Sequence, residues 1–128
     1  VYDGDILALF DAAEKGELKN FNAPTEPKGD AAIVVMASEG YPGSYAKGKR
    51  ISGVEAAEAL GAMVVHAGTK MAEGSLVTAG GRVLGIVGTG SDLKAALDKA
   101  YEGCEKIHFD GAFYRKDIGQ KGLAKCKK

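Results

Sequence analysis

Apolar residues recur along this chain with two different periods, and the switches between them mark its elements. From Asp5 onward, Ile6, Leu9, Phe10 and Ala13 fall at helical spacing, with Gly16 placed to end a short amphipathic helix. Residues 20–30, NFNAPTEPKGD, hold two prolines and a glycine and predict a loop. The apolar run AAIVVMA (31–37), β-branched at its centre, predicts a buried strand. Residues 38–50, SEGYPGSYAKGKR, then turn through three glycines and a proline and carry two tyrosines. An irregular segment of this length in a compact domain is often functional.

Ser52 followed by Glu55 has the form of a capping box and predicts a helix of about two turns over SGVEAAEAL, stopping at Gly61. AMVVHA (62–67) predicts a strand that leaves His66 near its end. SLVTAGGRVLGIVG (75–88) predicts a hairpin, with strands of Leu76 to Thr78 and Arg82 to Val87 joined around Gly80 and Gly81. Those two glycines would supply the positive φ values of a tight turn. The clearest element is a long helix: Leu93, Ala96, Leu97, Ala100, Tyr101, Cys104 and Ile107 share one face, with Ser91 or Asp92 as N-cap. FDGAFYR (109–115) offers aromatic residues for a final strand. The order helix, strand, short helix, strand, hairpin, long helix, short strand predicts an α+β domain with a mainly antiparallel sheet and packed helices.

Composition narrows the classes of function. A chain of 128 residues has room for one domain with a real core. The 17 basic residues equal the 17 acidic ones, so net charge does not point to nucleic acid. Nothing approaches the ~20 apolar residues that span a bilayer, and no signal peptide opens the chain, so no membrane partner and a cytoplasmic location are expected. Cys104 and Cys126 make neither a disulfide framework nor, with His66 and His108, a zinc-ligand spacing, which makes reduced thiols the expectation and gives no metal site. The chain opens on Val1 rather than Met and runs at once into a helical pattern, which reads as a piece of something longer or a processed product. From Arg115 to Lys128 six basic residues face only Asp117, which reads as a solvated basic tail.

The candidate chemistry centres on LVTAGGRVLGIVGTGSD (76–92), where five glycines surround Arg82. A dinucleotide fingerprint needs G-x-G-x-x-G between a strand and a helix; from Gly85 the order here is G-x-x-G-x-G, and its first member lies inside a predicted strand. The Gly-Lys-Ser/Thr end of a Walker loop is absent. What remains is a glycine-lined turn whose backbone can be approached closely, with one guanidinium able to hold a phosphate or carboxylate by two parallel hydrogen bonds. An arginine that only decorates a turn is the alternative. No serine stands in a G-x-S-x-G elbow, most acidic residues lie three or four positions from lysines as on a solvated helix face, and the two histidines read as strand or helix ends. By its own residues the chain contains no complete catalytic site.

Four ordered blocks carry a resemblance: ASEGYPGSYAKGK (37–49), VVHAGTK (64–70), GGRVLGIVGTG (80–90) and KAYEGCEKIHFDGAFYRKDIG (99–119). Together they resemble the carboxy-terminal region of the phosphoribosylamine-glycine ligases, also called glycinamide ribonucleotide synthetases, of the ATP-grasp superfamily. GDILALFDAAEKGEL near the start resembles the helix that joins this region to the family's ATP-grasp domain. The resemblance implies a barrel-sandwich-hybrid-like α+β domain over 21–122, a linking helix in 1–20 and a basic tail in 123–128. It implies a part in de novo purine synthesis, where ATP, glycine and 5-phosphoribosylamine give glycinamide ribonucleotide, ADP and phosphate. ATP and Mg2+ or Mn2+ would be held by the amino-terminal and ATP-grasp domains, which would be this domain's partners, and the fragment alone would be inactive. Arg82, with Gly80, Gly81 and nearby Lys70, would then hold the ribose phosphate of the substrate. Where the family commonly reads Ser-Gly-Gly-Tyr-Pro-Gly, this chain has Ser38-Glu39-Gly40-Tyr41-Pro42-Gly43, which would make the backbone at Glu39 less permissive. An independent binding or structural module that keeps the fold without the ligase is the alternative.

Overall fold

A nine-residue strand with an apolar centre, β1 (Asp30–Ser38), runs through the middle of the molecule and organises it. In this computed structural model, which describes residues 1–24 and 26–126, β1 pairs antiparallel with β5 (Arg82–Gly90) along nearly its whole length, from Asp30 opposite Gly90 to Ala37 opposite Arg82. The strands β2 (Met63–His66) and β6 (Ala112–Phe113) complete the sheet in the order β2-β5-β1-β6, and every pairing is antiparallel. Alternation along the strands sorts the side chains. Val34 and Met36 are buried together with Leu84, Ile86 and Val64. Their neighbours Ile33, Val35, Met63 and Val65 point to the opposite face and stay 40 to 64 % exposed.

Helix α3 (Leu93–Lys106) covers the buried face. Asp92 is its cap: its carboxylate accepts from the Ala95 amide at 2.8 Å, which leaves Ser91 outside the helix. Of the predicted face, Ala96, Leu97, Ala100, Cys104 and, just past the helix, Ile107 are buried and Leu93 and Tyr101 half-buried, while Gly103, which the spacing does not pick out, is buried as well. The shorter α2 (Val54–Ala59) packs against α3 and β2. Its predicted capping box does not form. The N-cap is Gly53 in the left-handed region at φ 86°, with no side-chain cap, because Ser52 is engaged in a backbone bridge with His108, 3.0 Å in each direction. Sheet pairing outcompetes the local cap.

The predicted hairpin is also wrong in its partner. β4 (Ser75–Thr78) and β5 both exist, but they belong to different sheets. β4 pairs with β3 (Thr69–Ala72), a strand that carries no clear apolar alternation, and the turn between them is Glu73–Gly74. Both turn residues have positive φ, 49° and 74°, as a two-residue turn matching the strand twist requires. Residues 48–51 run along the other edge of β4, through hydrogen bonds at Gly48, Lys49, Thr78 and Ile51.

At the start, α1 (Ile6–Glu14) is capped by Asp5, whose carboxylate accepts from the Leu7 and Ala8 amides at 2.9 and 3.0 Å. Its apolar residues Leu7 and Phe10 remain exposed and only Ala12 is buried. At the other end, the stretch read as a solvated tail folds into α4 (Gln120–Cys126) beside α3, while residues 127–128 lie outside the described part. Gly122 and Leu123 face inward enough to be half-buried, so basic composition did not prevent a helix there. No described helix is long and apolar enough to cross a membrane.

Candidate functional site

Gly80 and Gly81 sit where the chain passes from the small sheet into the large one. The amides of Ala79 and Gly80 both donate to the Gly68 carbonyl, at 2.7 and 3.1 Å, and the Gly68 amide donates to Val83 at 3.0 Å. From the opposite side, the Ser38 amide donates to the Gly81 carbonyl at 2.8 Å and the Ser38 hydroxyl to the Gly80 carbonyl at 3.2 Å. Neither Gly80 nor Gly81 has positive φ, so the reason given for them by the sequence does not hold. The reason is close approach: a Cβ on Gly81 would lie 2.2 Å from Cδ2 of Tyr41 and 2.9 Å from Cε1 of Tyr45. Two aromatic rings rest on this one residue.

Arg82 follows directly. Its side chain is exposed, it stands opposite Ala37 at the irregularity in the β1–β5 register, and it makes no ion pair among the described residues. A bulge bends a strand and re-aims the side chains beside it. The arrangement is therefore a pinned backbone carrying an uncommitted guanidinium, which is the geometry for holding a planar or tetrahedral oxyanion.

The other cations are placed differently. Lys70 lies on β3 opposite Val77 and is exposed. No hydrogen bond or ion pair joins it to Arg82 among the described residues; the two are linked through the backbone contact of Gly68 with Gly80. Lys49 is committed to Asp110 at 2.6 Å, and that bond holds the Asp110 carboxyl below the usual carboxylate range. Arg115 is likewise paired with Asp117 through two bonds of 2.9 and 2.6 Å. Lys47 stands over an aromatic ring, its Nζ 5.9 Å from the centre of Tyr45. The sequence had flagged the tyrosine-bearing segment 38–50 only as long and irregular; what assigns Tyr41 and Tyr45 to this corner is the tertiary contact with Gly81.

Elsewhere the chemistry is structural. The Nδ1 of His66, the last residue of β2, is 3.0 Å from the Thr69 hydroxyl, and His108, just past the end of α3, is held by an isolated backbone bridge to Ser52. Burial, with the nearby Glu105 carboxylate second, pushes the Cys104 thiol up to about 12, which leaves it protonated and inert at neutral pH. Glu39 adopts ordinary negative φ, and the left-handed position in that loop belongs to Gly40 at φ 92°, so the departure at Glu39 costs no backbone strain. A concavity of about 650 Å³ opens between α3 and α4; Lys94, Leu97, Tyr101 and Leu123 are among its lining residues, and Arg82 is not.

Comparison with known proteins supplies the family. The family described as "Phosphoribosylglycinamide synthetase, C domain" matches residues 31–121. The phosphoribosylamine-glycine ligase of Synechocystis is 54% identical over 74% of this chain and 23% of its own length. The chloroplastic ligase of Arabidopsis thaliana is 45% identical over 94% of this chain and again 23% of its own. The crystal structure of the ligase from Thermotoga maritima superposes with a TM-score of 0.68 at 41% identity, over 84% of this chain and 27% of that one. The chain thus spans about a quarter of the length of the relatives it matches. With its antiparallel α+β fold and the ordered blocks around Gly40, His66, Arg82 and Gly103, this chain belongs to the phosphoribosylglycinamide synthetase C-domain family.

Proposed function

We propose that this domain serves a phosphoribosylamine-glycine ligase by holding the phosphate of 5-phosphoribosylamine. In that reaction the glycine carboxylate is activated by ATP as an acyl phosphate, and the ribosylamine nitrogen attacks it to give glycinamide ribonucleotide, with ADP and phosphate released. The observation that carries the reading is the exposed, unpaired Arg82 on the backbone pinned by Gly68, Ser38 and the two tyrosines. A guanidinium fixed at its root can meet two phosphate oxygens without losing the entropy of a mobile loop. The domain's work is to bind and orient; Lys70 adds positive charge on the adjoining ribbon.

Among the described residues no group of three or more His, Cys, Asp or Glu stands together as a metal ion would need; this reading puts ATP and its Mg2+ or Mn2+ outside this chain. In this reading they belong to the ATP-grasp domain, with the amino-terminal domain as a further partner. The open sheet face of Ile33, Val35, Met63 and Val65, together with Leu7 and Phe10 on α1, is the apolar surface those domains would cover. The test is Arg82→Ala in a ligase carrying this domain. Weakened apparent affinity for 5-phosphoribosylamine, with ATP and glycine unchanged, supports the clamp; unchanged affinity for the ribosylamine sinks it.

A further inference from the structure

The basic stretch from Arg115 onward folds against α3 and leaves a concavity of about 650 Å³ between the two. We propose that this concavity is a binding site for a small planar organic monoanion, an aromatic carboxylate by class. Its ring would lie against Leu97, Tyr101 and Leu123, and its charged group at Lys116 and Gln120. Small-molecule sites commonly measure roughly 300 to 1,000 Å³ and combine apolar walls with a few polar groups. The phosphate clamp uses none of these lining residues.

The walls are fixed by the way residues 115–126 are attached. A Cβ on Gly119 would lie 2.5 Å from Cδ1 of Leu97, and one on Gly122 2.7 Å from Cδ2 of Leu93, so the chain meets α3 closely at these two glycines. Tyr101 supplies a further hold: its hydroxyl donates to the Arg115 carbonyl at 3.0 Å and accepts from the Ile118 amide at 3.1 Å. With those bonds spent on backbone, Tyr101 offers a ligand its ring. Tyr114 stands beside that ring, centroids 6.1 Å apart, and restrains it. Charge sets the sign of the ligand. Of the charged lining residues, Lys94 and Asp98 pair with each other, whereas Lys116 makes no ion pair among the described residues and is exposed. The rim therefore presents one uncompensated ammonium, and Gln120 beside it an amide able to donate. A single carboxylate matches that balance, and a flat ring matches the apolar wall.

The experiment is a two-dimensional NMR titration of the isotope-labelled chain with 2-naphthoate, and with the neutral 2-naphthamide as a control of the same shape. Saturable shifts are expected at amides of residues 94–101 and 116–124, with a Kd of about 1 mM or below. The amide probe should bind about two- to fivefold more weakly, the worth of one exposed charge contact. Lys116→Gln should weaken the naphthoate by the same factor and leave the naphthamide unchanged. Ala124→Trp, which fills the cavity from an exposed position on α4, should abolish binding of both; the dispersion of each spectrum shows that the variant is folded. Shifts confined to the open face of β1 and β2, no saturation at millimolar probe, or undiminished binding in Ala124→Trp would overturn the site. Equal affinity for the naphthoate in Lys116→Gln and the wild type would overturn the anionic class of the ligand.

Discussion

Arg82 and Cys104 show how position in the fold decides what a reactive side chain can do. An exposed guanidinium hydrogen-bonded to a phosphate contributes about 1.5 to 3 kcal/mol, so Arg82→Ala in a ligase should cost about tenfold to a hundredfold in ribosylamine affinity. Arg82→Lys should restore only part, since an ammonium keeps the charge without the two-pronged geometry. Equal affinity for the lysine variant and the wild type would argue for charge alone. Cys104 is the opposite case, 1% exposed beneath α3. Its thiol ionises near 12 in the folded chain because burial opposes the thiolate, and at an ordinary thiol value when unfolded. Between roughly pH 9 and 12 the unfolded chain therefore binds fewer protons than the folded one, so stability falls as pH rises, by at most about 1.4 kcal/mol per pH unit. Denaturant melts across that range should show a shallower alkaline loss in Cys104→Ala than in the wild type; parallel curves would refute the assignment.

Among the elements, the ribbon of β3 and β4 is the least legible and the most open to improvement. TKMA has no apolar alternation, and Glu-Gly is not the Asn-Gly or Asp-Gly pair that marks such a turn, yet Glu73 takes a left-handed conformation at φ 49°. A glutamate there carries a steric cost that asparagine largely avoids. Glu73→Asn should therefore stabilise the chain by about 0.5 kcal/mol and raise Tm by a degree or more, measured by differential scanning calorimetry. A lower Tm would mean the turn is not the two-residue type. The α2 start teaches a related lesson. Ser52 and Glu55 satisfy the local rule for a cap, but the Ser52 backbone is claimed by His108 from the far end of α3, and Gly53 takes the cap position.

At the scale of the whole molecule, one sheet face is buried under α3 and the other is apolar and open. Ile33 and Met63 both stand opposite Val87, one from each side, at the middle of the open face. Ile33→Lys with Met63→Lys should leave the melting of the isolated chain within about 1 kcal/mol, because neither side chain is in the core. The same pair should destabilise or inactivate a ligase, where a buried unpaired charge costs far more. A fully active double variant would show that the face is not covered. The isolated chain should unfold cooperatively through its own core and form no glycinamide ribonucleotide from ATP, glycine and 5-phosphoribosylamine; product above background would disprove the assignment of the chemistry to other domains.

Elements whose stability is local were legible in the order of residues alone. Periodicity was enough for the presence of α1, and periodicity with the Asp92 cap for α3, since that carboxylate satisfies an amide three residues away, and the apolar runs were enough for β1 and β5. Four ordered motif blocks were enough for the family. Strand pairing was set by long-range contacts, because β4 joins β3 and residues 48–51 while β5 joins β1 and β2, and neighbours in sequence do not announce this. Long-range contacts also decided why Gly80 and Gly81 are glycines. Their φ angles are ordinary, and the constraint comes from Gly68, 12 residues before Gly80, and from Tyr41 and Tyr45, 40 and 36 residues before Gly81. A contact between segments so distant in the chain leaves no period and no local signal, so the surroundings of Arg82 could be found only once the backbone had brought them together.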